Sequence, residues 1–329
     1  MALGMSWKLK SHALAVLSRL PAGRSLYHLL QKCAGTNRLN VRRDLDRAFE
    51  LVDLVFQANG TIEDAVCLEV GTGWRPFVPF VFSLAGARQV ITLDVNPWLT
   101  SSYALETWRS LELFLPEIAA YCKLPEHEVW DRYRSVPRSA RSLNSILAPL
   151  NIDYVYPGDA RETSLRNGSV DIVVSSNVLE HIPRHIQADI HRESRRILRP
   201  QGLAAHRFNP QDHFATVDAR ITHANFLRYS SAEWNWLGGS GLAYHNRLRS
   251  RDYREMFLEA GLSIEICRER IDKRSLTLIQ SGALPVHPEF SSYQPEELAV
   301  DYMWIVCRNP TEVPATSSDK VSLQVCSSL

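Results

Sequence analysis

The sequence predicts an α/β fold, in which helices cover a mostly parallel β-sheet. Residues 65–70 form an apolar run typical of a buried strand, and residues 89–93 form a second one. A glycine-containing loop and the apolar stretch 77–87, long enough for a helix, lie between them. A strand, a glycine loop, a helix and a strand that ends in an acid make the half-unit that binds a nucleoside at the carboxyl edge of a parallel sheet.

The loop between these two strands indicates which nucleoside is bound. Gly71 and Gly73 permit a tight turn and let a ligand approach the backbone closely. A dinucleotide site would have a third glycine at the place of Pro76, where a pyrophosphate sits on the helix N-terminus. Glu69 suits a cation better than a pyrophosphate, and Asp94 suits the hydroxyls of a ribose. A ribose with a positive charge nearby and no pyrophosphate describes S-adenosylmethionine.

The composition limits the classes of protein to which the chain can belong. Its 329 residues are 45% hydrophobic, enough for a sizeable core in one large domain or two small ones. The net charge of +1 provides no general attraction for nucleic acid, so no nucleic-acid partner is expected. The six cysteines are scattered without a CxxC pair, which predicts a reducing compartment and no structural zinc. No apolar run is long enough for a membrane-spanning helix. We expect a cytoplasmic protein.

Residues 1–40 form a basic segment with one predicted amphipathic helix at 5–20. The first 43 residues contain no acidic residue. Three interpretations remain open: the helix packs on the domain or frays as a chain end, it lies as a peripheral contact on an anionic inner membrane surface, or the segment is an organellar transit peptide. Ser11 lies opposite the apolar face of this helix. That apolar face comprises Met5, Leu9, Ala13, Val16 and Leu20.

A long insert follows the second strand. Residues 98–152 separate Asp94 from the third predicted strand, although such connections are usually far shorter. The insert has helical character at 104–120 and is rich in arginine afterwards. It either forms a solvent-exposed helical face or acts as a lid whose arginines contact a phosphate or carboxylate of the substrate. These arginines are Arg132, Arg134, Arg138 and Arg141.

Helices and strands continue to alternate along the chain. A sheet-covering helix is predicted at 41–58, with further helices at 184–198 and 251–258. Small polar residues follow the fourth strand, at the sheet edge where ligands bind. The third to seventh strands are predicted at 153–157, 170–175, 203–208, 262–267 and 302–307, and residues 311–329 are predicted to be a flexible tail.

Five segments, taken in order, resemble the motifs of class I S-adenosylmethionine-dependent methyltransferases of the small-molecule type. They are the Leu-Glu-Val-Gly-Thr-Gly segment at 68–73, Asp94, the Gly-Asp-Ala segment at 158–160, the run 170–182 and the Ile-Leu-Arg-Pro-Gln-Gly segment at 197–202. The resemblance spans residues 60–310 and implies a methyltransferase domain at 41–310. It also implies a Rossmann-like, seven-stranded, mostly parallel sheet with helices on both faces and an antiparallel last strand.

The resemblance further implies that S-adenosylmethionine is the cofactor. The sequence departs from the family at Trp74-Arg75, which replace the usual small residues, and in the length of its insert, which suggests an unusual cover over the acceptor. The residues implied to bind the cofactor are Glu69, Gly71 and Gly73 around the methionine end, Asp94 on the ribose hydroxyls, Asp159 and Ala160 at the adenine, and Asn177 at the methyl-donor pocket, together with Thr72 and Val95.

Residues 209–250 are polar and aromatic, and in the family this part of the chain commonly helps to shape the acceptor site. Aromatic faces beside amide and acid groups suit a sugar or another polyhydroxyl ring, although aromatic residues would equally pack an added subdomain. A hydroxyl acceptor must lose a proton, and a histidine near the crevice is the usual agent. The candidates are His181, His206 and His213, with Asp212 beside the last. Two adjacent residues do not define a metal site, so no metal is predicted.

These observations favour a methyltransferase that acts on oxygen of a small or carbohydrate-like acceptor, such as a glycan or a lipid-linked molecule. A noncatalytic binding or scaffold protein with the same fold is the main alternative. A nicotinamide-dependent oxidoreductase is a third interpretation, which Glu69 and Pro76 disfavour. The oligomeric state is left open.

Overall fold

The computed structural model describes residues 6–21, 23, 26–27, 38–237, 242 and 244–311. Its strands are β1 (Val66–Val70), β2 (Gln89–Leu93), β3 (Ile152–Val155), β4 (Val170–Ser176), β5 (Leu198–Phe208), β6 (Ser263–Ile271) and β7 (Val300–Arg308). They form one seven-stranded sheet in the order β3-β2-β1-β4-β5-β7-β6. β1 to β5 run parallel, and β7 is antiparallel to both β5 and β6. The predicted Rossmann-like sheet with an antiparallel last strand is confirmed.

Helices precede, separate and follow these strands. In chain order they are α1 (Trp7–Arg19), α2 (Val41–Gln57), α3 (Phe77–Leu84), α4 (Ser101–Ser110), α5 (Leu115–Cys122), α6 (Glu126–Arg134), α7 (Leu143–Leu147), α8 (Arg184–Ile197), α9 (Ser231–Leu237), α10 (Ser250–Glu259), α11 (Lys273–Gln280) and α12 (Pro295–Leu298). Short 3₁₀ turns at Leu179–His181 and His213–Thr216 follow β4 and β5. No stretch of helix in the described ranges combines the length and hydrophobicity that crossing a bilayer requires.

Two apolar clusters cover the two faces of the sheet. On one face, α2, α3 and the helices of the insert pack against strand residues that include Cys67 and Val306. On the other face, α8 and α10 pack against Leu68 and Val173. Cys67 and Leu68 point to opposite faces because successive side chains of a strand alternate. Helices therefore lie on both faces, as expected, and the carboxyl edge of the parallel strands is left for a ligand.

One strand ends later than the sequence predicts, because charged residues continue it. β6 extends beyond the predicted 262–267 to Ile271, through the exposed segment 268–270. β6 is the edge strand of the sheet. An edge strand has one side open to solvent, so it accommodates charged side chains that a central strand excludes. The helical region predicted at 104–120 is divided into α4 and α5.

The insert forms part of the helical layer on the α3 side of the sheet. Trp108 in α4, Ile118 in α5 and Ile146 in α7 are buried in the same cluster as α3. Arg132 donates from Nη1 to the Leu84 carbonyl at 3.0 Å, at the end of α3. Most of the insert is thus a packed extension of the core, with polar side chains on its outer face.

α1 packs on the domain, but not through the apolar face that the sequence predicts. Trp7, Ser11 and Leu14 are its buried residues, although Ser11 was placed on the polar face. Leu9 and Val16 instead point outward, with exposed fractions of 63% and 60%. The tryptophan ring has more apolar area to bury than these aliphatic side chains, which explains the orientation of the helix.

The anchor of α1 is a small aromatic cluster built by residues after β5. The Trp7 ring lies 5.6 Å from that of Phe214 and 6.1 Å from that of Trp234, measured between centroids. The Trp7 amide donates to Asp218 Oδ2 at 3.1 Å. The aromatic residues of the 209–250 region therefore pack a subdomain core together with α1.

Some sequence-based expectations fall outside the described residues. They concern Met5 on the apolar face of the N-terminal helix and residues 312–329 of the predicted tail. Of the described cysteines, Cys67, Cys122, Cys267 and Cys307 are free thiols.

Candidate functional site

A cavity of about 810 Å³ opens at the carboxyl edge of β1, β2 and β4. The parallel strands all end at this edge, so loops that are distant in sequence meet there. Every residue predicted to bind the cofactor lines this one cavity, and His181 lines it too. The predicted set is Glu69, Gly71, Thr72, Gly73, Asp94, Val95, Asp159, Ala160 and Asn177. The role of each residue stays a prediction.

The loop after β1 needs glycine at its first position for two reasons. Gly71 has a φ of +85°, a conformation that residues with a side chain rarely adopt. A Cβ atom at Gly71 would lie 2.5 Å from Val178 Cγ2, in the segment that follows β4. Its amide donates to the Leu93 carbonyl at 2.9 Å, which fastens the loop to β2. The loop after β1 is thus in direct contact with the end of β2 and with the segment that follows β4.

Asp94 points towards this loop. Its carboxylate is 7% exposed and accepts hydrogen bonds from the Gly73 amide and the Asn96 amide, both at 2.9 Å. Burial raises the pKa of Asp94, and these amides oppose the shift. Because two carboxylate oxygens offer about four acceptor positions, the group still has capacity for the hydroxyls of a sugar. Its position is compatible with the predicted ribose contact.

Glu69 lies at the bottom of the cavity, at 3% exposure. Thr92, its register partner on β2, donates from Oγ1 to Glu69 Oε2 at 2.5 Å. Burial raises the pKa of Glu69 to about 8, and the neighbouring Asp94 adds to this rise. Glu69 is therefore protonated over much of the neutral range, and a cation in the cavity would favour its ionised form.

Asp159, predicted at the adenine, is already paired. Arg161 donates from Nη2 to Asp159 Oδ2 at 2.7 Å and from Nε to Oδ1 at 3.0 Å. This pairing lowers the pKa of Asp159. Both side chains are about half exposed, so an adenine amino group would share the carboxylate with the guanidinium.

The amide of Asn177 is held by its neighbours. Its Oδ1 accepts from Arg207 Nη1 at 2.5 Å and from the Tyr302 hydroxyl at 3.1 Å. Its Nδ2 donates to Asn209 Oδ1 at 3.1 Å. Arg207 is itself fixed by Glu50, which accepts from its Nε at 2.8 Å. Asn177 therefore shapes the wall of the cavity, with its amide oriented by a buried network.

The three candidate histidines occupy different environments. His181 lines the cavity, and its Nδ1 donates to the Tyr244 carbonyl at 2.9 Å. The ring of His213 lies 4.9 Å from that of His181 but does not line the cavity. His206 is 1% exposed inside the sheet, where its Nδ1 bonds Ser175 Oγ at 2.8 Å.

These environments change the prediction for the general base. Burial lowers the pKa of His213 to about 3, with smaller contributions from His245 and His181. Burial also lowers the pKa of His206 to about 3. An imidazole with so low a pKa is a poor proton acceptor at neutral pH. Of the three candidates, His181 alone combines a place on the cavity with an exposed ring.

Asp212 was predicted as a catalytic partner, and its position argues against that role. Its carboxylate is fully buried and does not line the cavity. It accepts from the Phe214 amide and from Asn225 Nδ2, both at 2.9 Å. Asp212 thus caps the 3₁₀ turn after β5 and holds the polypeptide that carries His213.

Glu180 is a residue that the sequence analysis missed as part of the site. It is 1% exposed, and neither of its carboxylate oxygens has a hydrogen-bond partner in the described part of the chain. Candidate ligand atoms of Glu180, His181 and His213 all lie within 4.8 Å of one another. The signal in the sequence was a Glu-His pair after the fourth strand and a histidine after the fifth, because neighbouring parallel strands end side by side.

Arginines supply positive charge along another part of the lining. Arg43 and Arg47, at the start of α2, line the cavity and share Asp44. Arg43 Nε lies 2.8 Å and Arg47 Nη1 lies 3.1 Å from Asp44 Oδ1. Arg38 lines the cavity beside them. Three guanidinium groups with one carboxylate leave a net positive charge here, which suits an acidic group on a bound molecule.

The arginines of the insert are not among the cavity-lining residues, so the lid hypothesis finds no support in the described geometry. Arg141 donates from Nη1 to the Arg138 carbonyl at 2.9 Å, within its own turn. Arg134 pairs with Asp131 at 3.3 Å on α6. The solvent-exposed helical face is the interpretation that the structure favours.

Comparison with known protein families gives one match. Residues 134–206 match the sequence model of a methyltransferase domain family. The matched segment starts at the end of α6 and runs through β3, β4 and α8 into β5, so it includes Asp159, Asn177 and His181. None of the curated proteins matches the chain.

Solved structures similar to this chain include several methyltransferases of low identity. An S-adenosylmethionine-dependent methyltransferase from Mesorhizobium loti is 14% identical, with 80% of this chain and 99% of that chain covered and a TM-score of 0.43. One from Methanosarcina mazei is 13% identical, with 76% and 94% covered and a TM-score of 0.41. A geranyl diphosphate methyltransferase, solved with GPP and sinefungin, is 12% identical, with 80% and 77% covered and a TM-score of 0.46.

Proposed function

We propose that this chain, a member of the class I S-adenosylmethionine-dependent methyltransferases, transfers a methyl group to an oxygen atom of a small or carbohydrate-like acceptor. Its membership follows from the match at 134–206 and from the sheet order with an antiparallel β7. The observation that carries the proposal is the single cavity shared by the predicted cofactor residues and His181.

The described residues fit the proposed cofactor in charge and in hydrogen-bonding capacity. Asp94 would accept from the ribose hydroxyls, and Glu69 would face the positively charged methionine end. S-adenosylmethionine, when bound, would supply an electrophilic methyl group. The task of the protein is then to align the acceptor oxygen and to exclude water. Asp94 and Glu69 are both buried, so they would bind the cofactor in a site of low dielectric.

The acceptor oxygen is proposed to be activated at His181. A hydroxyl group is a weak nucleophile until its proton is removed or its oxygen is polarised. His181 lines the cavity, and its Nδ1 donates to the Tyr244 carbonyl, so its Nε2 is left for the acceptor side. Arg43 and Arg47 would bind a phosphate or carboxylate of the acceptor, which fits a lipid-linked or acidic sugar.

The test combines binding with methyl transfer. The full chain should bind S-adenosylhomocysteine in calorimetry and should transfer radiolabelled methyl groups to members of a panel of glycans and lipid-linked sugars. Binding without transfer to any acceptor would favour the noncatalytic scaffold. Binding of NADH in place of S-adenosylhomocysteine would overturn the assignment and revive the oxidoreductase.

A matched pair of variants tests the role of His181. His181→Gln should leave the affinity for S-adenosylhomocysteine within about twofold and reduce turnover by about 100-fold, the usual contribution of such a group. His185, exposed on α8 and not part of the cavity lining, provides the control. If His181→Gln and His185→Gln turn over equally well, His181 does not activate the acceptor.

We further propose that the outer face of α1 contacts a membrane surface. Leu9, Val16 and Leu20 are at least half exposed on this face. Trp236, on α9, is 68% exposed, and its ring lies 5.4 Å from the ring of His12 on α1. An apolar strip with an interfacial tryptophan and the basic Lys8 and Arg19 nearby is typical of peripheral helices.

Pelleting with anionic vesicles tests this contact without shortening the chain. The wild-type chain should sediment with the vesicles, and Leu9→Gln combined with Val16→Gln should remain in the supernatant. Leu113→Gln is the matched control, because Leu113 is 88% exposed in the insert. Equal sedimentation of both variants would contradict the proposal.

A further inference from the structure

Three potential metal ligands converge at the histidine side of the cavity. Glu180 and His181 belong to the 3₁₀ turn after β4, and His213 begins the turn after β5. β4 and β5 are parallel neighbours, so these turns lie side by side. One ligand atom from each of the three residues lies within 4.8 Å of the others. Metal–ligand bonds of roughly 2.0–2.2 Å put neighbouring ligand atoms roughly 3–4 Å apart, so a small contraction would close the site.

Glu180 is the first sign that something is bound here. Its side chain is 1% exposed, and neither carboxylate oxygen has a hydrogen-bond partner at normal distance and angle among the described residues, although the backbone amides of Glu180 and Asn209 lie near enough to stabilise its charge. Burying a carboxyl group without a hydrogen-bond partner destabilises the folded state. An ion that binds the carboxylate is one of the few explanations for such a group in a folded protein. The turn that carries Glu180 is fixed, since the Asn246 amide donates to its backbone carbonyl at 2.8 Å.

The two imidazoles are arranged as metal ligands usually are. The Tyr244 carbonyl can only accept, so His181 Nδ1 carries the proton and Nε2 has its lone pair free. A backbone carbonyl that fixes the tautomer in this way is typical of metal-bound histidine. Nε2 of His213 is buried and has no partner in the described part of the chain. The ring of His245 stacks on His213 at a centroid distance of 5.1 Å and holds it in place.

We propose that Glu180, His181 and His213 bind a divalent transition-metal ion, such as Zn²⁺ or Mn²⁺, at the acceptor side of the cavity. Two imidazole nitrogens and one carboxylate form a donor set that favours such ions over Mg²⁺ or Ca²⁺, which prefer oxygen ligands. Three protein ligands leave coordination positions open, as in catalytic zinc sites. The sequence alone predicted no metal, because the adjacent pair Asp212 and His213 does not define a metal site.

With the ion bound, His181 Nε2 would be one of its ligands and could not also accept a proton, so the ion would take over the activation of the acceptor. His181 is the ligand that lines the cavity, so an ion held by it would lie at the border of the space where the acceptor is expected. A hydroxyl group bound to the ion becomes more acidic, and two adjacent hydroxyls of a sugar could occupy two open positions. This part rests on the proposed function. The existence of the site does not, because it follows from the three side chains.

The test measures binding of the metal alone to the full chain after dialysis against a chelator. Titration with ZnCl₂ and with MnCl₂ in a calorimeter should show one ion per chain and a rise in Tm. Glu180→Gln and His213→Gln should each weaken binding by at least about 10- to 100-fold, because losing a ligand should cost no less than losing an outer-shell partner. His185→Gln should bind like the wild type. Equal affinities in the wild type and both ligand variants would overturn the site.

Two further measurements keep the outcome clear. If the variants fail to fold, wild-type protein loaded with Co²⁺ should show the visible absorption of a nitrogen-ligated ion, and a spectrum like that of aqueous Co²⁺ would overturn the proposal. S-adenosylhomocysteine binding is measured on the metal-free chain. A chain that binds metal but not S-adenosylhomocysteine would disprove the proposed function and support the metal site. A chain that binds S-adenosylhomocysteine but not metal would support the proposed function and disprove the metal site.

Discussion

The two ends of the cavity differ in how far their polar groups are satisfied. The cofactor end consists of the loops after β1, β2 and β3, and each of its acids has a partner: Glu69 has Thr92, Asp94 has two amides, and Asp159 has Arg161. The histidine end consists of Glu180, His181 and His213. There, Glu180 and His213 Nε2 are buried with no partner in the described part of the chain.

The difference suggests that the cofactor end is shaped before any ligand arrives and that the histidine end is completed by one. A preorganised site loses little free energy on ordering when it binds. A buried unpaired group, in contrast, destabilises the folded chain until it is satisfied.

Gly71 lies against Val178, at the place where the two ends meet. A side chain added at Gly71 should have the largest effect on stability. Gly71→Ala adds a Cβ atom 2.5 Å from Val178 Cγ2 at a φ of +85°. We expect a loss of about 3 kcal/mol in the free energy of unfolding, from backbone strain and overpacking together. Urea denaturation measures it. Gly73→Ala is the control, because at Gly73 an added Cβ has no atom within 4 Å, and its cost should be about 1 kcal/mol.

Removal of Asp94 should weaken the cofactor end without affecting the histidine end. Asp94→Ala should lower the affinity for S-adenosylhomocysteine by about 10- to 100-fold, the loss of one or two hydrogen bonds to a charged group. Its affinity for Zn²⁺ should not change. Calorimetry with both ligands compares the two, and Asp153→Ala, an exposed acid on β3, serves as the control. An unchanged affinity for S-adenosylhomocysteine would remove Asp94 from the cofactor site.

Glu69 should make the stability of the ligand-free chain depend on pH. Burial raises its pKa from the usual 4.5 to about 8, so between these values the folded chain keeps a proton that the unfolded chain has lost. The free energy of unfolding should therefore fall as the pH rises through this window, by up to about 1.4 kcal/mol per pH unit. Glu69→Gln should flatten the slope in urea denaturation. An equally steep slope in the variant would assign the dependence to another group.

The smallest effect is expected from the insert. Charge reversal of Arg138 and Arg141 to Glu should change the KM for the acceptor by less than about twofold, as for surface positions away from a site. Arg43→Gln, which alters the cavity lining, should raise that KM more. A large rise in KM for the insert variant would restore the lid hypothesis.

The same two ends explain what could be predicted from the sequence. Most of the cofactor end comes from the strand–loop–helix–strand unit at 66–94, where the apolar runs, the glycines and Asp94 are close in sequence and each has a local meaning, and the loop after β3 adds Asp159. Its prediction needed no knowledge of distant contacts. The seven-stranded, mostly parallel sheet and its antiparallel last strand came from the resemblance, and the structure bears them out.

The histidine end is assembled from segments that are far apart in the chain. The burial of Glu180 and the tautomer of His181 depend on residues 244–246, which lie more than sixty positions away. Asp212 looked catalytic beside His213, but its hydrogen bonds to Phe214 and Asn225 turn it away from the cavity. Likewise, the packing face of α1 was decided by Trp7 and its partners after β5. Local sequence patterns do not show which distant residues will contact a given side chain.

The anchoring of Trp7 bears on how the protein is processed in the cell. Trp7 fills a core position against Phe214, the residue next to His213, and its amide is bonded to Asp218. A targeting peptide that is cut off after import contributes nothing to the finished fold, whereas this helix supplies part of it. We therefore expect the mature protein to retain α1, and mass spectrometry of its N-terminus would show whether it does.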